Sequence, residues 1–279
     1  MFRVFSLIDE KYVNPLFEVF DGGDFVLSSF RDVKKSLTEV GFYFPKRERL
    51  AEAKKTLGLA LAVVGARGEI FEAEIPDEDW RFSYRKSFKT ERIGNRLVVR
   101  PPWEPMPADG VVVTLDPGLA FGTGKHETTR ACLEYIEELS GEGGSFLDMG
   151  TGSGILSIAA VKLGYAPVSG FDVDPQAVES AERNAKDNGV APMFFKYALG
   201  SKEPAPYSPC DLVVANILGP LLVRFAPEIA PASGKHLVIS GILTEIYDEV
   251  LSAYVERGFA EKSRKTFGEW TTGLLERRG

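Results

Sequence analysis

Residues that form disulfides or bind metals are scarce in this sequence. Its 279 residues include two histidines and only two cysteines, Cys132 and Cys210. The cysteines lie far apart in different predicted elements, and no group of residues has the spacing that metal sites use. We therefore expect two free, buried thiols and no metal site.

Long apolar runs are also missing. No stretch reaches the roughly 18 apolar residues that a membrane-spanning helix needs. The first residues, MFRVFSLIDEKYV, lack the basic start, apolar core and small-residue cleavage site of a secretory signal. These absences favour a cytoplasmic protein without a membrane partner.

Positive charge is not in excess. There are 33 lysines and arginines against 40 aspartates and glutamates, a formal net charge of −7. Binding through nucleic-acid phosphates depends on clustered Lys and Arg, so this balance argues against direct nucleic-acid binding. An acidic enzyme favours a lysine-rich substrate instead, although bulk charge affects steering more than identity.

Residues 1–75 have the pattern of a small α+β domain. Helix KRERLAEAKKTLGLAL carries Leu50, Ala53, Leu57 and Leu61 on one face. A second predicted helix is EKYVNPLFEVF, and the predicted strands are FRVFSLI, DGGDFVLSSF, SLTEVGFYF and GEIFEAEI. The resulting order βαββαβ predicts a ferredoxin-like fold, with two helices on one face of an antiparallel sheet.

Residues 76–90 follow as a predicted linker helix. Pro76 precedes it, and Trp80, Tyr84 and Phe88 recur every four residues. From 91 to 279 short apolar strands alternate with helical runs; the strands are SFLDMG, APVSGFDVD, FFKYAL, CDLVVAN and KHLVISGI. This alternation predicts a Rossmann-like α/β domain with a mostly parallel, doubly wound sheet.

The stretch FLDMGTGSGILSIAA places a glycine-rich turn between a strand and a helix. Asp148 ends the strand, and Gly150, Gly152 and Gly154 follow at every second position. Glycine lets a ligand approach the backbone closely, and the helix that follows presents free N–H groups. A dinucleotide fingerprint would need a glycine where Ile155 stands. Gly154 could alternatively serve only helix–strand packing.

Two polar residues end later strands of the predicted sheet. Asp172 ends VSGFD, where a carboxylate can accept both hydroxyl hydrogens of a ribose, although dehydrogenases use the same arrangement. Asn216 ends DLVVAN, where its side-chain carbonyl could accept a hydrogen bond from a target amine. Each could instead be a turn residue, and Asp174 is expected to cap the next helix.

These motifs resemble known methyltransferases. The pattern at 148–154 resembles motif I of class I S-adenosylmethionine-dependent methyltransferases. LDPGLAFGTGKHETTR (115–130) and ANILGPLL (215–222) resemble the PrmA family, the methyltransferases of the eleventh protein of the large ribosomal subunit. The resemblance covers residues 76–279 and includes DEDWRFSYRKSF, RLVVRPPW, SGIL (240–243) and GEW (268–270).

The resemblance implies S-adenosyl-L-methionine as cofactor and assigns roles to individual residues. Asn216 would act in catalysis. Cofactor contacts fall on Thr129, Gly150, Asp172 and Asn216, with Gly152 and Gly154 in the glycine turn. The loop over the cofactor would consist of Phe121, Gly122, Thr123, Gly124 and His126. His126 could act as a general base or fix backbone carbonyls.

The family further implies methylation of lysine ε-amines and of the N-terminal α-amine of that ribosomal protein. The domain at 1–75 would recognise the substrate. Three alternatives remain open: a lysine methyltransferase of the same fold with another substrate, a cofactor-binding module without catalysis, and a nicotinamide dehydrogenase. Ile155 and the FGTG loop argue against the last.

Overall fold

The computed structural model describes residues 2–19, 25, 27–31, 37–44, 46–74, 88–115 and 127–278. They belong to two compact units, 1–87 and 88–279. Within this part of the chain no helix is long and apolar enough to span a bilayer. Cys132 and Cys210 are both free and buried, as predicted.

The first unit has the element order predicted from the sequence. Its strands are β1 (Phe2–Asp9), β2 (Leu27–Arg31), β3 (Leu37–Phe44) and β4 (Ile70–Glu74), and its helices are α1 (Val13–Val19) and α2 (Leu50–Val63). All strand pairs are antiparallel, in the order β2-β3-β1-β4. This is the ferredoxin-like arrangement that the sequence predicts.

The core of this unit lies between the sheet and its helices. Alternation along β1 buries Val4 and Ile8 against the helical layer, since successive strand residues point to opposite faces. In α2 the predicted apolar face is the buried one, with Ala53, Leu57 and Leu61 at most 3% exposed. Residues 88–90, the last of the predicted linker helix, have no regular structure, and its remainder lies outside the described residues.

The described part of the second unit contains ten further strands and five helices. The strands are β5 (Glu91–Ile93), β6 (Leu97–Arg100), β7 (Val111–Thr114), β8 (Phe146–Met149), β9 (Val168–Asp172), β10 (Met193–Lys196), β11 (Cys210–Asn216), β12 (Ser233–Leu243), β13 (Phe259–Phe267) and β14 (Trp270–Arg277). The helices are α3 (Glu127–Leu139), α4 (Ile155–Lys162), α5 (Pro175–Asp187), α6 (Gly219–Ala232) and α7 (Tyr247–Val255).

Seven of these strands form the main sheet, in the order β10-β9-β8-β11-β12-β14-β13. The first five are parallel, and β14 runs antiparallel to both neighbours. The predicted mostly parallel, doubly wound sheet is therefore present. The sequence did not predict the β13–β14 hairpin.

Two apolar cores sandwich this sheet. Helices α3, α4 and α5 contribute to one core and α6 and α7 to the other. Neighbouring strand residues enter opposite cores: Phe146 and Val214 face the first, while Leu147 and Val213 face the second. Burial on both faces explains why these strands read as continuous apolar runs.

A separate three-stranded sheet, β5-β6-β7, packs into the first core. The sequence segment RLVVRPPW therefore supplies β6 to this small sheet and not to the main one. Glu137 of α3 holds the β5–β6 turn, because its carboxylate accepts hydrogen bonds from the backbone N–H groups of Asn95, at 2.7 Å, and Arg96.

Candidate functional site

The predicted site residues lie in one row across the main sheet. Met149 pairs with Phe171 of β9 on one side and with Ala215 of β11 on the other. The next residues in each chain are Gly150, Asp172 and Asn216. The row therefore lies at the carboxyl ends of three adjacent parallel strands.

This row coincides with the point where the strand order reverses. From β8 the chain continues to β9 and β10 on one side, then returns to β11 and β12 on the other. In open α/β sheets ligands bind in the crevice at such a switch point. The topology therefore places the candidate site between the loops that follow β8 and β11.

The glycine turn after β8 is fastened to β9 by backbone hydrogen bonds. The N–H groups of Gly150 and Thr151 both donate to the carbonyl of Phe171 at 2.9 Å. Gly150 has a φ of +76°, and a Cβ there would stand 2.7 Å from Cγ2 of Ile217. Glycine is required at this position both for the backbone conformation and for contact with the loop after β11.

Gly154 has a packing role in the structure. Its φ is +79°, and a Cβ would stand 2.9 Å from the Cβ of Ala181 in α5 and 3.2 Å from the ring of Phe194. The alternative interpretation of Gly154, close packing of helix and strand, therefore has direct support. A cofactor contact of Gly154 stays a prediction.

Asp172 is held by two backbone donors. Oδ2 accepts a hydrogen bond from the N–H of Gly152 at 2.9 Å, and Oδ1 accepts one from the N–H of Asp174 at 3.0 Å. The first bond ties the glycine turn to the end of β9, and the second is a local turn contact. Asp174 itself caps α5, as predicted, accepting from the N–H of Gln176 at 2.9 Å.

Asp148 lies beneath the glycine turn and is fully buried. Its Oδ2 accepts hydrogen bonds from the hydroxyls of Thr151, at 2.7 Å, and Ser157, at 3.0 Å, whereas Oδ1 has no partner among the described residues. Burial, and to a lesser extent the charge of Asp172, raises the pKa of Asp148 to about 6, although the hydrogen bonds from Thr151 and Ser157 lower it. Two carboxylates thus fix the same turn, one from below and one from the side.

The loop after β11 rests against β12. Asn216 is half-buried and pairs in register with Ser240. A Cβ on Gly241, whose φ is +80°, would stand 2.4 Å from the carbonyl oxygen of Ile217. Leu218, at the start of α6, leaves 63% of its surface exposed. Beside Asn216 the site therefore has a fixed backbone and an apolar, exposed neighbour.

Thr129 lies buried in the first turn of α3. The carbonyl of the preceding residue, Thr128, accepts a hydrogen bond from the hydroxyl of Ser240 at 3.4 Å. The start of α3 is thereby tied to the same strand that pairs with β11. Phe121, Gly122, Thr123, Gly124 and His126 lie outside the described residues.

Comparison with known proteins identifies the family. The model of the family described as ribosomal protein L11 methyltransferase (PrmA) matches residues 22–278. The chain belongs to this family.

Individual relatives agree with that assignment. A ribosomal protein L11 methyltransferase of Desulforapulum autotrophicum is 42% identical over 207 residues, 72% of this chain and 68% of the relative. One of Geobacter metallireducens is 45% identical over 205 residues, covering 72% and 67%. The crystal structure of a ribosomal protein L11 methylase from Lactobacillus delbrueckii subsp. bulgaricus has a TM-score of 0.62 and 30% identity, covering 69% of this chain and 100% of the other.

As a PrmA family member the protein is a protein methyltransferase whose methyl donor is S-adenosylmethionine. The residues of the row fit this cofactor. An ionised carboxylate has about four acceptor positions, and each oxygen of Asp172 accepts one N–H, which leaves capacity for the two ribose hydroxyls. Gly150 contributes no side chain of its own to the crevice between β8 and β11, where a Cβ would collide with Cγ2 of Ile217.

Sequence reasoning missed several residues that shape this site. It noted Asp148 only as part of a motif, although its burial makes it an anchor of the glycine turn. It quoted Ser240 and Gly241 only for their resemblance to the family and gave them no role. Thr272, which contacts Ser240 at 2.6 Å, carried no signal in the sequence because its strand was not predicted.

Proposed function

We propose that this protein transfers methyl groups to ribosomal protein L11, on lysine ε-amines and on the N-terminal α-amine. The observation that supports the proposal most directly is the row of Gly150, Asp172 and Asn216 at the switch point, in a chain of the PrmA family. It brings a glycine turn, a carboxylate and a side-chain amide to one crevice.

The cofactor-binding roles in this proposal belong to the glycine turn after β8, to the ends of β9 and β11, and to helix α3. When bound, S-adenosylmethionine supplies an electrophilic methyl group on a sulfonium. Gly150 and Gly152 would let the cofactor approach the backbone, and Asp172 would accept hydrogen bonds from its ribose. Thr129 would contact it from α3. Contacts from 121–124 and from His126 stay predictions.

Asn216 would orient the accepting amine. A lysine amine with a pKa near 10.4 is mostly protonated at pH 7, and its deprotonation costs about 4–5 kcal/mol. The side-chain carbonyl of Asn216 would accept a hydrogen bond from the neutral amine and direct its lone pair. The exposed apolar surface of Leu218 would favour the uncharged form. Alignment of donor and acceptor supplies most of the acceleration, so no strong base is required.

The domain predicted at 1–75, which lies within the unit 1–87, would recognise the substrate. It has its own apolar core and contains none of the row residues, so a binding role is compatible with its construction. The net charge of −7 suits a lysine-rich protein substrate and gives no support to direct nucleic-acid binding. A ribosomal protein substrate also favours a cytoplasmic location.

Mass spectrometry of purified L11 after incubation with the enzyme and S-adenosylmethionine tests the proposal. We expect the mass of L11 to increase by one methyl group for each transfer. Fragment masses should assign these methyl groups to lysines and to the N-terminus. If L11 stays unmodified while another lysine-bearing protein is methylated, that other protein is the substrate and the proposal for L11 is wrong. Cofactor binding without transfer to any amine would favour a binding module instead.

A further inference from the structure

The segment SGIL contains a buried hydroxyl that links three elements. Ser240 of β12 is fully buried, and its Oγ lies 2.6 Å from the hydroxyl of Thr272 in β14. The same hydroxyl donates to the carbonyl of Thr128 in α3 at 3.4 Å. Because the single proton of Ser240 goes to Thr128, the hydroxyl of Thr272 is the donor in its contact with Ser240.

The hydroxyls of Ser240 and Thr272 form a hydroxyl cluster, and Ser240 connects it both to β11 and to the start of α3. In the sheet it pairs directly with Asn216. Through Thr128 it holds the first turn of α3, where Thr129 is the next residue. One strand position therefore touches the elements that carry a predicted cofactor contact and the predicted amine-orienting residue.

The following residue makes the second connection. Gly241 has a φ of +80°, and a Cβ there would stand 2.4 Å from the carbonyl oxygen and 2.9 Å from the carbonyl carbon of Ile217. The register between β12 and β14 shifts between Ile239 and Ile242, so the strand is irregular at this point. The backbone of Ile217, directly after Asn216, thus rests on a position that only glycine can occupy.

We propose that Ser240 and Gly241 are positioning residues for methyl transfer, Ser240 through the start of α3 and Gly241 through the backbone beside Asn216. The proposal rests on the proposed roles of Thr129 and Asn216. It assigns the two residues different kinetic effects, since one acts on the cofactor side of the crevice and the other on the amine side.

Ser240→Ala tests the first half, with Ser233→Ala as the matched control. Ser233 is the same residue type on the same strand, is also fully buried, and donates a 2.8 Å hydrogen bond to the carbonyl of His236 at the opposite end of β12. We expect Ser240→Ala to raise the Kd and KM for S-adenosylmethionine about tenfold, and Ser233→Ala to leave both within about twofold. The two variants should lower the Tm by similar amounts, since each removes one buried hydroxyl. Equal Kd values for the two variants would overturn this half.

Substitutions of Thr272 provide a test if Ser240→Ala does not fold. Thr272→Val removes the hydroxyl that contacts Ser240 but keeps a side chain of nearly the same shape. Thr272→Ser keeps the hydroxyl. We expect weaker cofactor binding in the first variant and near-normal binding in the second. The same affinity in both would show that the hydroxyl cluster does not position the site.

Gly241→Ala tests the second half, with Gly258→Ala as the matched control. Gly258 has a φ of +86° and no atom of a described residue within 4 Å of a Cβ, so alanine there brings the same backbone strain without a clash. We expect Gly241→Ala to lower kcat at least about tenfold with little change in the Kd for S-adenosylmethionine. Equal kcat values in the two variants would overturn this half.

Failure of this inference can be told apart from failure of the proposed function. The Kd measurements by calorimetry need only the cofactor and do not depend on L11. A wild-type enzyme that does not methylate L11 would overturn the proposed substrate, and kcat would then be measured on the protein that is methylated. A wild-type enzyme that methylates L11, with variants that match their controls, would overturn only the positioning roles.

Discussion

At the scale of single residues, Asp172 both holds the glycine turn and is proposed to bind the cofactor. Its carboxylate holds the N–H of Gly152 and has acceptor positions left for ribose. We expect Asp172→Ala to weaken S-adenosylmethionine binding at least about tenfold in calorimetry, because charge-assisted hydrogen bonds are lost. Asp174→Ala is the control, since this neighbouring exposed acid only caps α5. An unchanged affinity of Asp172→Ala would remove the ribose role.

Asn216 should affect transfer more than binding. It ends β11 between the glycine turn and Ser240, where the accepting amine is proposed to lie. We expect Asn216→Ala to lower kcat by about 10²-fold while the Kd for S-adenosylmethionine changes less. Single-turnover methylation of L11 measures the step. A fully active variant would exclude Asn216 from the mechanism.

Asp148 makes stability depend on pH in a defined direction. Its pKa is about 6 in the folded protein, above the value near 3.9 expected when unfolded. The folded state therefore binds the proton more tightly than the unfolded state does. Ionisation of Asp148 lowers the free energy of unfolding as the pH rises from about 4 to about 6, and the full loss remains above about pH 6. The effect is at most about 3 kcal/mol.

Asp148→Asn isolates this contribution. Because asparagine does not titrate, the Tm of the wild type minus that of Asp148→Asn should increase as the pH falls from 7 to 5. Thermal unfolding at several pH values checks this. A difference that stays constant with pH would show that Asp148 does not titrate in this range.

At the scale of elements, Gly154 decides how closely α5 approaches the glycine turn. A Cβ at this position would collide with the Cβ of Ala181, 2.9 Å away. We expect Gly154→Ala to lower the free energy of unfolding by about 1–3 kcal/mol through strain and overpacking. Adding Ala181→Gly should restore part of this loss, as measured by denaturant unfolding. No restoration would contradict the packing role.

At the scale of the whole molecule, the second unit contains every described residue of the row. It also has two apolar cores of its own. We expect the fragment 88–279 to bind S-adenosylmethionine within about threefold of the full chain but to lose methylation of L11. Calorimetry and mass spectrometry on the same preparation measure both. Methylation that persists would overturn the recognition role of the first unit.

The sequence alone determined the order and type of most elements, because the signals are local. The apolar content of FRVFSLI indicated β1, the apolar face containing Ala53 and Leu57 indicated α2, and Asp174 marked the start of α5. It also placed Asp172 and Asn216 at strand ends. Each of these features depends on residues within one or two turns or one strand.

The tertiary structure alone decided which distant segments meet. Strand β14 lies between β12 and β13, a pairing that no local pattern predicts and that brings Thr272 to Ser240. Pairing of β8 with β11, segments about 66 residues apart, brings Ile217 against Gly150. Burial of Asp148 follows from packing of the finished sheet, so its raised pKa has no signal in the sequence.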